Sequence, residues 1–131
     1  MAIQLDHLIV PSHNPVDSAK SLAHLLGVPW ETGRGHFTPI YVNDTLTLDF
    51  DERDGFASHH YCFHVSDEAF DGIFERVRNA GIVYRSTPTG PDDLKLNTRL
   101  GGRNFYWRDS DGHNWEVLTV SYARQEAGAA T

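Results

Sequence analysis

Residues 3–10 read IQLDHLIV, branched aliphatics interrupted at Gln4, Asp6 and His7 and closed by Pro11. A short run of this kind bounded by proline predicts a strand. The period then lengthens. Asn14-Pro15 offers a cap with proline at the first helical position, Asp17 falls in the first turn, and Val16, Ala19, Leu22, Ala23 and Leu26 share one face before Gly27. That spacing predicts a helix of about three turns stopped by the glycine. Strand candidates follow at 37–42 and 45–50, with Asn43-Asp44 suited to a hairpin turn between them. The order then begins again. Residues 59–65 read as a strand, and Ser66 caps a helix with Asp67 and Glu68 in its first turn. Ala69, Phe70, Ile73, Phe74 and Val77 make its apolar face, and Gly81 ends it. Further strands are predicted at 82–85, 104–108 and 114–122, the last two joined by Asp109-Ser110-Asp111-Gly112, a strong turn signal.

The chain thus carries two copies of one unit, a strand, a helix and two or three antiparallel strands. His7 and His60 open the copies at matching places, and Gly27 and Gly81 end the two helices. The expected fold class is α+β: two βαβββ modules, about 3–55 and about 57–122, in a single domain. Each module offers a sheet with a helix on one face and nothing on the other, so two together would form a half-barrel around a small-molecule cavity. The turn-rich stretch 86–102 is long enough to be a rim or lid. Residues 125–131, QEAGAAT, read as a loose tail.

Composition narrows the partners. Eighteen acidic against eleven basic side chains give a formal charge of −7, with no Lys/Arg stripe to neutralise phosphates, so nucleic acid is excluded as a partner. No window approaches the ~20 apolar residues of a membrane span, and the opening residues lack the basic stretch and long apolar core of a leader. Cys62 is the only cysteine, which rules out a disulfide within the chain and suits a reducing cytoplasm, the expected location.

The segment SHHYCFHV at 58–65 gathers three of the eight histidines and the cysteine. Strand alternation splits it, with His60, Cys62 and His64 on one face and His59, Tyr61 and Phe63 on the other. Three same-face residues in a row span roughly 13 Å, too far to share a metal with bonds near 2 Å. His60 therefore needs partners from elsewhere. His7 stands in the opening strand of the first module, and Glu116 lies in the last strand among Trp115, Val117 and Leu118, a costly place for an unpaired carboxylate. Two imidazoles and one carboxylate on three strands form a set that holds a divalent metal and leaves positions open for substrate. Taken alone, a strand histidine is more often a hydrogen-bonded core residue, and Glu116 could pair with Arg103 or Arg124. Placement of His7 and His60 on equivalent strands of a repeat is what favours the metal set. DSDGHNWE lacks calcium-loop spacing, Gly101-Gly102-Arg103 is too short for a phosphate loop, and no G-x-S-x-G is present.

LDHLIV at 5–10, HHYCFHVSDEAFDGIFERVRNAGI at 59–82 and GGRNFYWRDSDGHNWEVLT at 101–119 together resemble the vicinal oxygen chelate superfamily of glyoxalases, extradiol dioxygenases, fosfomycin-resistance thiol transferases and bleomycin-resistance proteins. The resemblance implies a metal site at His7, His60 and Glu116, filled by a divalent ion (Fe, Mn, Zn, Ni or Co) acting as Lewis acid on an oxygen-bearing small-molecule substrate. The substrate-contacting tyrosine of the fosfomycin enzymes falls on Tyr106. His64, Asp49 and Tyr106 are then the candidates for proton transfer or substrate orientation. The carboxylate of glyoxalase I in the first module falls on Thr47, with Asp49 on the same face as a substitute, and Ser110 replaces the usual turn proline. The resemblance leaves lyase, dioxygenase and thiol-transferase chemistry open, with a metal-free sequestering protein as the alternative, and it implies a homodimer.

Overall fold

A computed structural model describes residues 3–33 and 35–124. The expected tail at 125–131 lies outside the described residues. The described residues divide into two compact units: those up to Ser58 together with the turn Asp109–Gly112, and His59–Arg108 together with those from His113 on.

The first unit contains β1 (His7–Ser12), α1 (Pro15–Leu26), β2 (Phe37–Tyr41) and β3 (Thr47–Glu52). Its sheet runs β1-β3-β2, with β1 parallel to β3 and β2 antiparallel to it. A parallel pair needs a crossover, and α1 supplies part of it. β1 starts later than the sequence predicts and runs through Pro11 rather than stopping there. Its edge position explains this, because an edge strand tolerates a residue that cannot donate to a ladder. The buried face of α1 is Ser18, Ala19, Leu22, Ala23 and Leu25, turned from the expected one, and Val16 is exposed. The turn explains the rotation: Ser12 and Ser18 hydroxyls donate to Asp111 Oδ2 at 2.7 and 2.8 Å, and His13 N–H donates to Oδ1 at 2.9 Å. Asp111 thus places an anion at the start of α1, where the helix dipole favours one, and Asn14 makes no side-chain cap bond. The β2–β3 connection is an Asx turn, Asn43 Oδ1 accepting from Thr45 and Leu46 N–H, each at 2.9 Å.

The second unit repeats the order with β4 (His60–His64), α2 (Asp67–Asn79), β5 (Asn104–Arg108) and β6 (Asn114–Leu118), and its sheet runs β4-β6-β5. Ser66 caps α2 by accepting from Ala69 N–H at 3.1 Å, and Gly81 with φ 71° turns the chain out of the helix. Phe70 and Phe74 of α2 meet Phe105 at 5.5 and 5.3 Å between ring centroids, so α2 covers one face of the sheet. On that same face Tyr61 and Phe63 stack against Trp115.

The fold class is α+β, as expected, with each sheet three-stranded. The strand predicted at 82–85 contracts to one bridge, Arg85 with Tyr106, and the first unit has its counterpart in Trp30 with Ile40. Residues 86–102 are stitched to the sheet: Asn97 bridges Asn104, Ser86 N–H donates to Asp93 Oδ1 at 3.0 Å, and the Arg85 guanidinium donates to the Pro88 carbonyl at 3.0 Å. No helix among the described residues is long and apolar enough to cross a membrane.

Candidate functional site

β6 is the central strand of its sheet, and Glu116 is its middle residue, opposite Cys62 of β4 and Tyr106 of β5. Its side chain is fully buried. A carboxylate there costs several kcal/mol, of order 3–5 where a partner is removed, unless donors surround it. Three do. His60 Nε2 is 3.0 Å from Oε1, Asn104 Nδ2 donates to Oε2 at 3.0 Å, and the Tyr122 hydroxyl lies 2.8 and 2.7 Å from the two oxygens. Arg103 is not among them. It pairs with Asp67 and Asp71 of α2 at 2.9 and 2.7 Å and lies over the Phe70 ring.

The far side of His60 is also occupied. Asn114 Nδ2 stands 3.4 Å from His60 Nδ1, and Asn114 Oδ1 accepts from Arg85 Nη2 at 2.7 Å. Arg85 is 2 % exposed, with Asp92 3.5 Å from it. Because the guanidinium can only donate, Asn114 must offer it oxygen and turn its amide group toward His60 Nδ1. His60 then holds its proton on Nε2, facing Glu116.

His60, Cys62, His64, Glu116, Leu118 and Tyr122 line a pocket of about 190 Å³, so strand alternation places the three β4 residues as the sequence predicts. Burial, then the neighbouring Glu116, pushes the Cys62 thiol up to about 12. Burial likewise raises the Tyr106 and Tyr122 phenols. The Tyr106 hydroxyl is 3.2 Å from that of Tyr122. His64 Nε2 is 3.0 Å from the Thr119 carbonyl, which makes it the donor and leaves Nδ1 as the acceptor nitrogen.

The first unit has a pocket of its own, about 300 Å³, lined by Asp6, His7, Phe37, Tyr41, Thr47 and Asp49 among others. His7 is exposed, and its Nδ1 lies 2.7 Å from Asp6 Oδ2. That hydrogen bond leads the causes raising the His7 pKa. It also holds the ring with Nδ1 as donor and Nε2 as acceptor, the form a metal takes. Strand register revises one assignment. His7 pairs with Thr47 as His60 pairs with Asn114, so the residue equivalent to Glu116 is Asp49, not Thr47.

The structure therefore joins His60 with Glu116, places Cys62, Tyr106 and His64 around them, and places His7 with Asp49 on the first sheet. Among the described residues of one chain no group of three His, Cys, Asp or Glu is arranged to hold a metal. Sequence reasoning gave no role to Asn104, Asn114, Arg85 or Tyr122. The first two were open to strand alternation, since Asn114 shares the face of Glu116 and Asn104 that of Tyr106. Tyr122 falls inside the strand predicted at 114–122, where alternation would put it on the Glu116 face; β6 ends at Leu118 instead, and Tyr122 reaches the carboxylate from outside the sheet.

No protein-family profile and no curated protein matches the chain. Among solved structures it is similar to oxidase ChaP-H2, with 38% identity over 94% of this chain and 98% of that one and a TM-score of 0.87. Oxidase ChaP-H1 is similar at 37% identity, 94% and 100% coverage and TM-score 0.86. The fosfomycin resistance protein FosX from Mesorhizobium loti shares the fold at 20% identity, 93% and 96% coverage and TM-score 0.69.

Proposed function

The chain belongs to the vicinal oxygen chelate superfamily, and from that membership we propose that it is a metal-dependent oxidase of an oxygen-bearing small molecule. The observation that carries the reading is the pairing of a fully buried carboxylate with an imidazole at the edge of a pocket, Glu116 Oε1 with His60 Nε2 at 3.0 Å. Donors at that separation suit neighbouring positions on one cation with bonds of about 2.1 Å. The donor set, nitrogen and carboxylate oxygen, fits Fe, Mn, Co, Ni or Zn. His7, poised by Asp6, is the proposed third ligand. Two-unit chains of the superfamily commonly pair, one subunit sometimes completing the other's site, and a homodimer is the assembly proposed here. The similarity to two proteins described as oxidases favours oxygen chemistry over the lyase and thiol-transferase branches.

A bound divalent ion supplies Lewis acidity and, where redox-active, electron transfer to oxygen. The chain's own residues do the rest. Asn104, on β5, holds Glu116 by a hydrogen bond; His60, whose proton sits on Nε2, would take a metal there only by moving that proton to Nδ1 as the Asn114 amide turns its oxygen toward it. Tyr106, its phenol kept protonated by burial, is the proposed donor to a substrate oxygen. His64 Nδ1 and the Asp49 carboxylate are the proposed proton acceptors.

Metal analysis tests the reading. Wild type loaded with each of the five metals should retain about one equivalent per chain of at least one of them, and His60→Ala and Glu116→Ala less than a tenth of that. Oxygen uptake should follow when the Fe(II) or Mn(II) form meets catechols and related phenols. Wild type that retains no metal would point instead to a sequestering protein, and metal retention without oxygen uptake on any phenol would sink the oxidase branch alone.

A further inference from the structure

Of the three donors that surround Glu116, two stand on strands and one does not. Asn104 belongs to β5 and is 2 % exposed, and His60 belongs to β4. Tyr122 follows β6 by four residues, in a stretch without helix or strand, and is 41 % exposed. Ser121 and Ala123 beside it line the same pocket. The stretch is moored at Thr119, whose N–H donates to the Arg103 carbonyl at 3.0 Å and whose own carbonyl accepts from His64. Among the described residues the hydrogen bonds beyond Thr119 are those of the Tyr122 hydroxyl, to Glu116 and at 3.2 Å to the Tyr106 hydroxyl of β5, and a local one, Ala123 N–H to Ser121 Oγ at 3.2 Å.

The position of the hydroxyl matters more than its presence. At 2.8 Å from Oε1 and 2.7 Å from Oε2, the Tyr122 oxygen is nearly equidistant from both carboxylate oxygens. A phenol has one proton to share, so this contact lies across the mouth of the carboxylate rather than along one lone pair. Oε1, the oxygen that faces His60 Nε2, is one of the two it covers. A cation held by His60 and Glu116 needs that same oxygen, and the phenol is the donor placed to withdraw.

We infer that Tyr122 and a divalent cation compete for Glu116, so that Tyr122 gates loading of the site and the segment 119–124 moves aside when metal enters. The inference rests on Glu116 being a metal ligand. Asn104 stays on Oε2 throughout, because its strand holds it there. Tyr122 acts through Glu116 and is a positioning residue, and its removal should strengthen metal binding although it deletes hydrogen bonds. A purely structural tyrosine predicts the reverse.

The test is calorimetric titration of wild type, Tyr122→Phe and Glu116→Gln with Mn(II) and Co(II), together with hydrogen exchange of residues 119–124. Tyr122→Phe should bind at least tenfold more tightly than wild type, the scale of a lost charge-assisted hydrogen bond. Exchange across 119–124 in wild type should accelerate on adding Mn(II). Equal or weaker binding by Tyr122→Phe overturns the gate while leaving the metal site standing, as does slower exchange of the segment in loaded wild type. A phenolate-to-metal charge-transfer band after oxidation of an Fe(II)-loaded sample, lost in Tyr122→Phe, also overturns it, since Tyr122 would then be a ligand. If Glu116→Gln binds as well as wild type, or no form binds metal, the metal-site reading fails and the gate falls with it. Should Tyr122→Phe fold poorly, exchange in wild type with and without Mn(II) decides.

Discussion

Cys62 faces Glu116 across the β4–β6 pair, and burial first, then the neighbouring carboxylate, makes the thiol hold its proton. With its pKa pushed up to about 12, the thiolate is scarce at any ordinary pH although the residue is exposed. Iodoacetamide at pH 8 should therefore alkylate Cys62 at least about a hundredfold more slowly than a free cysteine of pKa ~8.5. Glu116→Gln should speed the reaction, as mass spectrometry of timed samples would show; equal rates in both proteins would leave burial as the whole cause. His7 offers the opposite case. Its hydrogen bond to Asp6 favours the imidazolium, so its NMR titration midpoint should lie above 6.5 and fall in Asp6→Asn. Any stability from that pair is present below pH ~6.5 and fades as pH rises through the raised value. Much at this scale was legible: an Asp-His dipeptide and an H-x-C-x-H alternation state which side chains can meet. Tyr122 was only half legible: a strand running to 122 would put it on the Glu116 face, but β6 ends at Leu118 and the contact depends on where the chain goes next.

Asp111 shows how an element can depend on a residue far from it in sequence. The helix start at Asn14-Pro15 is readable from the chain, yet the groups at that start are satisfied by Asp111, 93 positions beyond Ser18. Asp111→Ala should cost about 1–3 kcal/mol by removing an acceptor from a buried serine pair and an anion from a helix N-terminus. Urea melts would register this as a lower midpoint, whereas Ser110→Pro, at a position without those bonds, should leave the midpoint within about 0.5 kcal/mol of wild type. The same contact explains why the apolar face of α1 was misjudged. Apolar spacing alone selected Val16 and Leu26, while Ser18, a polar residue no periodicity would choose, is held inward by its partner. Pro11 was misread for a related reason: proline ends a central strand but not an edge one, and edge position is a property of the sheet order.

The repeat was the most legible feature of the whole chain, and it revises its own parts once strand register is known. Matching His7 to His60 makes Asp49 the counterpart of Glu116 in the repeat, where the resemblance to glyoxalase I had placed Thr47 with Asp49 as its substitute. A second buried counterpart is missing, since Asp49 is only half-buried in an open pocket, so the two copies are equal in backbone and unequal in chemistry. That inequality bears on stability. Glu116 and Arg85 are buried ionisable groups in the second unit, retained at a desolvation cost that a purely structural core would avoid. If the cost is kept for metal binding, the metal should return it. Free Mn(II) or Co(II) at about a hundred times its dissociation constant stabilises the folded chain by about 2.7 kcal/mol, and the melting temperature should rise by roughly 10 °C. Chelator should reverse the rise, and Glu116→Gln should abolish it; Asp49→Asn should lessen the rise only if Asp49 joins the ligand set. A melting curve indifferent to all the metals, in a sample shown to be folded and monodisperse, would leave the buried Glu116 without its proposed purpose.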